Sequence, residues 1–458
     1  MAAHSFSLTP KKVPQVQTKY RLIQTEIPAP GTSNMLDRLD KVESRSMHGQ
    51  LPIVWDKAKN FLVEDFAGNR WIDFTSTIFV ANVGHSNSRV TSAIKRALEL
   101  PLYSCYAYAN PIRAKYLEKL INFAGESFDK AFLLSAGTEA TEAALKLMRM
   151  YAQLKNKRRR GIITIENNWH GRTLGAQMLS SNINQRDWVG YQDADIHHIP
   201  FPYPWSLEGD SGVEFLERGL DQLASKGIDL SQDICGFMLE TFQGWGAIFY
   251  PKDFVQAIEK ICRRYDILLA FDEMQSGFGR TGMKFGFQHY DVTPDLICTG
   301  KGMGGGVPLS GVIGREEIMD LPDVGNMSST HSANPLVCAA GLAVLEELEE
   351  LNLVAEADRK GKLFREALMS IQKKFPDRIS YVLGRGMIMA VLFKDPDTGN
   401  ADGPFTSRVA ERCMQKGVLV VHTGRESIKL GPPLSITDEA LLEGLAVLEE
   451  SIAELVVK

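Results

Sequence analysis

The sequence predicts an α/β protein with a mainly parallel central sheet in a large domain and a smaller α+β lobe at the C-terminal end. Between residues 90 and 320, short apolar runs alternate with helical stretches. Polar side chains follow directly after most of these runs. After Pro335 the alternation gives way to two long helical stretches and shorter mixed elements.

Five apolar runs supply the expected strands of the central sheet. They are AFLLSAG, GIITIEN, GFMLE, ILLAFDE and DLICTGK, and they carry no alternation of polar and apolar residues. Continuous apolar runs between helices are typical of parallel strands that are buried on both faces. The helical stretches around them are Val90–Leu98, Pro111–Phe123, Thr138–Leu154 and Asp253–Tyr265.

The flanking segments complete a three-part organisation. Residues 1–70 are expected to form an N-terminal arm and a hairpin that turns at Ala67-Gly68-Asn69. Residues 71–333 form the large domain and residues 334–458 the small C-terminal one. The small domain begins with two helices and ends with a helix that Thr437 caps.

Composition excludes several classes of protein. The net charge of −5, from 51 basic and 56 acidic residues, argues against a nucleic-acid partner. The dense basic run at 155–160 is interpreted as a solvated helix end. The six cysteines form no CxxC pair, so neither a disulfide scaffold nor a metal site is expected. With no signal peptide and no apolar stretch of roughly 20 residues, the sequence predicts a cytoplasmic protein without membrane contact.

Two runs place charged residues at strand ends, where open α/β sheets bind ligands. Asp272 follows the strand ILLAF and needs a partner if it is buried, such as a protonated pyridine nitrogen. A surface acid or a metal ligand is the alternative. Lys301 precedes a run of glycines that leaves room for a flat ring beside its amine. A P-loop is excluded because the glycines follow the lysine and no GxxxxGK[ST] exists.

Three further patterns are weaker when taken alone. Gly137 and Thr138 open a helix whose free N–H groups can hold a phosphate, although a simple helix cap fits equally well. Trp169 and His170 follow a strand, so that the indole can stack on a flat ring or serve only in packing. Thr330 offers a hydroxyl to a phosphate or belongs to a turn before the next helix.

Taken together, SAGTEA, WHGRT, AFDEMQSGFGRTG, TGKGMGGGVPLSG and STHSANP resemble the class III aminotransferases. These are fold type I enzymes that use pyridoxal 5′-phosphate (PLP), and they include 4-aminobutyrate, acetylornithine and ω-amino acid aminotransferases. The resemblance runs from about Ile23 to the C-terminal helix.

The resemblance implies a role for each matching residue. Lys301 would form the Schiff base with PLP and move the proton, and Asp272 would pair with the pyridine nitrogen. Gln275 would hydrogen-bond the phenolic oxygen, and Trp169, with His170 and Gly171 completing its motif, would stack on the ring. Gly137 and Thr138 would hold the phosphate, and Thr330 would reach the phosphate of the neighbouring subunit in a homodimer. Glu240 matches the active-site glutamate of the family, and Arg172 would bind a distal substrate carboxylate.

Three departures from the family pattern bear on the substrate. Glu240 is followed by Thr241 where the family often has proline, and a glycine usual near Thr77 is missing. Lys429 occupies the position of an arginine that binds a substrate carboxylate in many members, and the two are not equivalent at a bidentate site. Arg425, four residues earlier, is a possible substitute.

The sequence therefore predicts a ping-pong transamination from a primary amine, such as 4-aminobutyrate or a similar terminal amine, to a keto acid or aldehyde. Two alternatives stay open on the same scaffold: an aminotransferase for an amino sugar or natural-product aldehyde, and a 2,1-aminomutase or decarboxylating enzyme. A non-catalytic descendant is disfavoured because Lys301 and Asp272 are both present.

Overall fold

The computed structural model of the chain describes residues 5–47, 49–155, 159–182 and 185–456. Half of the predicted basic run, at 156–158, and residues 1–4 and 48 of the predicted arm lie outside the described residues.

In chain order, the helical elements α1 to α13 are Thr32–Asp40, Ser76–Phe79, Ser88–Glu99, Pro111–Ala124, Gly137–Leu154, Leu174–Leu179, Gly212–Ser225, Lys252–Tyr265, Glu316–Met319, Pro335–Glu350, Leu353–Lys374, Gly403–Gln415 and Asp438–Val456. The strands β1 to β19 are Val16–Gln17, Leu22–Ile23, Trp55–Lys59, Leu62–Asp65, Arg70–Asp73, Lys130–Leu134, Gly161–Ile165, Ile196–Ile199, Ile234–Glu240, Phe242–Gln243, Ile248–Phe249, Leu268–Asp272, Leu296–Thr299, Ser310–Gly314, Ile379–Arg385, Ile388–Phe393, Val418–Leu419, Val421–His422 and Ser427–Leu430.

The chain divides into two compact units. The larger comprises Ser88–Gly244 and Ile248–Val354, and the smaller comprises the residues up to Asn87, Trp245–Ala247 and the residues from Ala355 onward. These units differ from the predicted segments at three places. Residues 71–87 and 245–247 belong to the smaller unit, and α10 belongs to the larger one, where it packs against α3 and α4.

A seven-stranded sheet forms the centre of the larger unit, in the order β6-β14-β13-β12-β9-β7-β8. The pairs β13/β12, β12/β9, β9/β7 and β7/β8 are parallel, while β14 runs antiparallel to both of its neighbours. The α/β fold with a mainly parallel sheet is thus confirmed. All five predicted apolar runs are strands of this sheet.

Two strands of this sheet were not predicted, and each has a local reason. Strand β8 reads IHHI, so two histidines interrupt the apolar run that marks the other strands. Strand β14 reads SGVIG, with glycine at two of five positions. Gly311 is required there, because a Cβ atom would lie 2.8 Å from the carbonyl oxygen of Phe132 on the paired strand.

The smaller unit contains two sheets of its own. One has the order β1-β2-β5-β4-β3, with β17 paired to β5, and the other is the antiparallel sheet β15-β16-β19-β18. The predicted hairpin joins β4 to β5, and the Asp65 carboxylate accepts the N–H groups of Ala67 and Asn69 at 2.9 Å. The Thr437 hydroxyl accepts the Ala440 N–H at 3.2 Å and so caps the last helix. In the part of the chain that the structure describes, no helix is both long and apolar enough to cross a membrane.

The four-residue element α2 is a left-handed turn. Its residues Ser76, Thr77, Ile78 and Phe79 have φ angles of 46°, 52°, 61° and 68°. Left-handed backbone is costly for side chains branched at Cβ, so the surroundings must hold the turn in place. They do so at both ends. The Ser76 hydroxyl donates to the Gly431 carbonyl at 2.6 Å, and the Phe79 ring packs so closely that a Cβ on Gly431 would lie 2.2 Å from it.

We expect a Thr77→Gly variant to be more stable than the parent by about 0.5–1 kcal/mol, because glycine removes left-handed strain of roughly 1–2 kcal/mol at the cost of some unfolded-state entropy. Thr77 is exposed, so little packing is lost. Thermal melting measures the change. Val80→Gly is the control, since Val80 has a right-handed φ of −90° and should become less stable. A Thr77→Gly protein that melts below the parent would contradict the assignment of strain.

Candidate active site

A cavity of about 190 Å³ opens at the carboxyl ends of the strands in the larger unit. Nine of the residues that the sequence singled out line it together, although they come from five separate segments of the chain. The lining residues are Gly137, Thr138, Trp169, His170, Gly171, Glu240, Thr241, Phe242, Asp272, Met274, Gln275, Ser276 and Lys301.

Asp272, the last residue of β12, forms a buried pair with His170. Its Oδ2 lies 2.9 Å from His170 Nδ1, and its Oδ1 accepts the Met274 N–H at 3.0 Å. The second ring nitrogen of His170, Nε2, lies 3.4 Å from the hydroxyl oxygen of Thr164. The side chain of Asp272 is therefore oriented from two sides. The sequence motif placed His170 in the site but did not indicate that it contacts Asp272.

Lys301 begins a short 3₁₀ helix, Lys301–Gly304, directly after β13. Its φ of 45° is left-handed, which directs the chain sharply away from the strand. Burial lowers the pKa of the Lys301 amine, while the charges of Asp272 and Glu240 act in the opposite direction. A lowered pKa increases the fraction of neutral amine, the form that attacks a carbonyl carbon.

The start of α5 is arranged to leave its first N–H groups open. The Glu139 carboxylate accepts the N–H groups of Ser135 and Ala136, which precede the helix, at 2.9 and 2.8 Å. Gly137 and Thr138 are the first two helical residues, whose N–H groups have no intrahelical acceptor. Thr138 is oriented by Thr173, with 2.7 Å between the hydroxyl oxygens. The segment is therefore suited to hold an anion.

Glu240 and Trp169 are joined by a backbone hydrogen bond. Glu240 ends β9, and its Oε2 accepts the Trp169 N–H at 3.0 Å. The indole of Trp169 is 38% exposed, and the guanidinium of Arg172 lies over it, 4.4 Å from the ring centroid. The Glu240 carboxylate thus fixes the backbone of Trp169, whose indole forms an aromatic wall of the cavity. The exposed guanidinium of Arg172 lies on that indole.

Four lining residues were missed by the sequence analysis: Thr241, Phe242, Met274 and Ser276. Met274 packs against two glycines that are distant from it in the chain, so no local pattern indicated its place in the cavity wall. A Cβ on Gly137 would lie 2.7 Å from the Met274 sulfur, and one on Gly300 would lie 2.8 Å from it. The thioether is therefore part of the cavity wall, between the phosphate-type helix start and the strand that precedes Lys301.

Four predicted residues, Arg172, Thr330, Arg425 and Lys429, are not among those that line the cavity. Thr330 is exposed and lies two residues from Ser332, whose hydroxyl oxygen is 3.3 Å from that of Ser135. Arg425 and Lys429 belong to the smaller unit. There the Arg425 guanidinium lies 3.9 Å from the centroid of the Trp245 ring, and the Lys429 amine lies 4.9 Å from that of Phe79.

Among the residues that the structure describes, no group of three or more His, Cys, Asp or Glu side chains is placed to hold a metal ion. All six cysteines are free thiols.

The mainly parallel sheet, with its single antiparallel strand β14 and its ligand cavity at the carboxyl ends, is that of the fold type I PLP-dependent transferases. A family model described as "Aminotransferase class-III" matches residues 44–452. The chain is 32% identical to an acetylornithine aminotransferase of Caldanaerobacter subterraneus, covering 89% of this chain and 96% of that one. It is 30% identical to a 4-aminobutyrate aminotransferase of Mycobacterium leprae, covering 95% and 98%.

A solved structure of ornithine aminotransferase from Toxoplasma gondii is similar, with a TM-score of 0.82, 27% identity and coverage of 93% and 96%. The protein belongs to the class III aminotransferases, and it is a PLP-dependent transaminase.

Proposed function

We propose that this protein transfers an amino group from a primary terminal amine, such as 4-aminobutyrate or another ω-amino acid, to a keto acid or aldehyde. The transfer occurs in two half-reactions, so that the first product leaves before the second substrate enters. The observation that carries the proposal is that one cavity holds Lys301, with its lowered pKa, and the Asp272–His170 pair.

The residues of the cavity fit PLP, which when bound supplies an electron sink for the bonds at the substrate carbon. The open N–H groups at Gly137 and Thr138 suit its phosphate. Asp272 offers a carboxylate for the pyridine nitrogen, and the Trp169 indole offers a flat face. Gln275 is assigned to the phenolic oxygen.

Lys301 is assigned two tasks. As a neutral amine it would hold the cofactor through the cofactor's carbonyl group, and when a substrate amine takes its place it would take and return the proton at the substrate carbon. Desolvation favours both tasks, because it lowers the pKa of the amine and so increases the fraction of the neutral form. Glu240 is assigned to orient the Trp169 wall through its backbone hydrogen bond.

The substrate proposal is supported by the relatives and by Arg172. The printed names of the relatives include acetylornithine and 4-aminobutyrate aminotransferase. Arg172 is an exposed cation held on an aromatic ring at the cavity, a suitable place for a distal carboxylate.

A second candidate is a substrate that carries no carboxylate, such as an amino sugar or a natural-product aldehyde. It is favoured by Lys429, which stands where many members have arginine. Lys429 is 6% exposed and lies over Phe79, and its single ammonium lacks the fork that grips a carboxylate.

The experiment that tests the function is a visible spectrum of the purified protein with PLP, followed by a panel of amines. A cofactor band that particular amines bleach and that 2-oxoglutarate or pyruvate restores would establish transamination and identify the donor. A 2,1-aminomutase would turn over without any keto-acid acceptor. A protein that stays colourless after PLP is supplied would overturn the proposal.

We expect Arg172→Ala to raise KM for donors that carry a distal carboxylate by about tenfold or more, with a smaller change in kcat, because a charge-assisted hydrogen bond is lost. Donors without that carboxylate should be unaffected. Arg218→Ala is the matched control, since Arg218 also lies over an aromatic ring, Phe215, at 5.3 Å. Equal losses for both donor classes would remove Arg172 from carboxylate binding.

Two expectations concern assembly and location. We propose a homodimer in which Thr330 of the partner subunit contributes its hydroxyl to the phosphate site, and light scattering coupled to gel filtration measures the oligomeric state. A cytoplasmic location stays a prediction.

A further inference from the structure

Glu273 follows Asp272 in the chain but does not line the cavity. The residue is 0% exposed, and burial raises the pKa of its carboxyl, opposed by hydrogen bonds from its neighbours. A carboxyl group in such a place is costly unless its oxygens find donors. None of the roles assigned above uses Glu273, so its burial calls for another explanation.

Four donors surround this carboxylate, two for each oxygen. Oε1 accepts the Thr241 hydroxyl at 2.6 Å and the Phe287 N–H at 2.7 Å. Oε2 accepts the Ser276 hydroxyl at 2.6 Å and the Gly286 N–H at 2.8 Å. A carboxylate is acceptor-only when ionised, and this set of donors matches that capacity.

The two hydroxyl donors belong to the loops that carry two assigned cavity residues, and the two N–H donors belong to the segment at Gly286 and Phe287. Thr241 directly follows Glu240, and Ser276 directly follows Gln275. The Tyr290 hydroxyl closes the arrangement by donating to the Thr241 carbonyl at 2.6 Å. Glu273 therefore joins the loop after β9 to the loop after β12 from behind the cavity wall.

Gly286 packs closely against one residue from each of these two loops. A Cβ placed on Gly286 would lie 2.6 Å from Thr241 Cγ2 and 2.9 Å from Ser276 Cβ. Because Gly286 packs closely against both side chains, neither loop can move toward it without displacing it. Thr241 stands where the family often has proline, which has no side-chain donor, so the hydroxyl bond to Glu273 is a feature of this chain.

We propose that Glu273 is a positioning residue that fixes the separation of Glu240 and Gln275 across the cavity and, through Glu240, the placement of the Trp169 backbone. This inference rests on the proposed assignment of the cavity to PLP. The Thr241 hydroxyl is the means by which Glu273 acts on Glu240.

The test compares Thr241→Val, which keeps the shape and removes the hydroxyl, with Thr241→Ser, which keeps the hydroxyl. The dissociation constant of PLP is measured by titrating the cofactor-free protein, and the visible circular dichroism of the bound cofactor reports its orientation. We expect Thr241→Val to raise the dissociation constant about tenfold and to change the dichroism, because a hydrogen bond to a charged group is lost. Thr241→Ser should restore both.

A double-mutant cycle with Glu273→Gln separates this role from a direct contact of Thr241 with the cofactor. If Thr241 acts through Glu273, its substitution should have little further effect in the Glu273→Gln background. Should Glu273→Gln fail to fold, the cycle of Thr241→Val with Ser276→Ala replaces it, and non-additive effects on PLP binding are then expected.

The proposal would be overturned if Thr241→Val lowered only the melting temperature while the dissociation constant and the dichroism matched the parent, or if the effects in the cycle were additive. The proposed function fails differently, because the parent protein itself would then bind no PLP.

Discussion

Replacing Lys301 by alanine is expected to lower kcat for every amine donor by about 10⁴-fold or more, since one side chain supplies both the nucleophile and the proton carrier. The cavity should survive the change. Asp272 keeps its contacts with His170 and the Met274 backbone, and α5 keeps its cap at Glu139. PLP should therefore still bind, but without a covalent link to the protein.

Borohydride reduction followed by peptide mass spectrometry measures that link directly, independently of turnover. The parent should carry the reduced cofactor on the peptide that contains Lys301, and the variant should carry none. Lys360→Met is the matched control. Lys360 is also a buried lysine whose pKa is lowered by burial, but its amine donates to the Leu434 carbonyl in the smaller unit. A Lys301→Ala protein that retains a reducible cofactor bond would refute the assignment.

Asp272→Asn is expected to lower kcat by about 10³-fold, because an uncharged amide does not hold a proton on the pyridine nitrogen of the cofactor. A second effect follows from the sign of the interaction with Lys301. The negative charge of Asp272 raises the pKa of Lys301 against the larger, lowering effect of burial. Its removal should therefore lower that pKa further and leave more neutral amine at any given pH.

The pH dependence of PLP association with the cofactor-free protein measures this shift, and the rising limb should move to lower pH in Asp272→Asn. Asp73→Asn is the control, because Asp73 also ends a strand, is fully buried and contacts a histidine, His85, at 2.7 Å. That variant should lose stability without moving the limb. A shift to higher pH in Asp272→Asn would contradict the electrostatic account.

Much of the fold was predictable because burial leaves a simple record in sequence. Strand β12 is apolar through Phe271 and then turns charged at Asp272, so one run indicates both the strand and the edge where ligands bind. Strand β8 was not predicted in this way, because its two histidines interrupt the apolar run.

The candidate site also contains some features that the sequence indicated and others that it did not. The residues that line the cavity lie at strand ends or in the segments that follow them, and the sequence singled out nine of the thirteen. Contacts between side chains far apart in the chain carry no such record. The pairing of His170 with Asp272 joins residues 102 positions apart, and that of Thr241 with Glu273 joins residues 32 apart. Their partners depend on which strands become neighbours, which local pattern does not encode.

The strand order also determines how late during synthesis each sheet can be completed. Strand β6 pairs with β14, so Leu134 finds its neighbour Ser310 only after 176 further residues have been synthesised, as 310 minus 134 gives. In the smaller unit Ile72 pairs with Val418, near the other end of the chain. The central sheet of the larger unit is complete only after β14 has been synthesised, and β5 gains its partner β17 only near the end of synthesis; closing such distant contacts is slow. We therefore expect nascent chains to expose unpaired strand edges during much of translation, and we expect a C-terminal truncation that removes β17 to destabilise the sheet of the smaller unit.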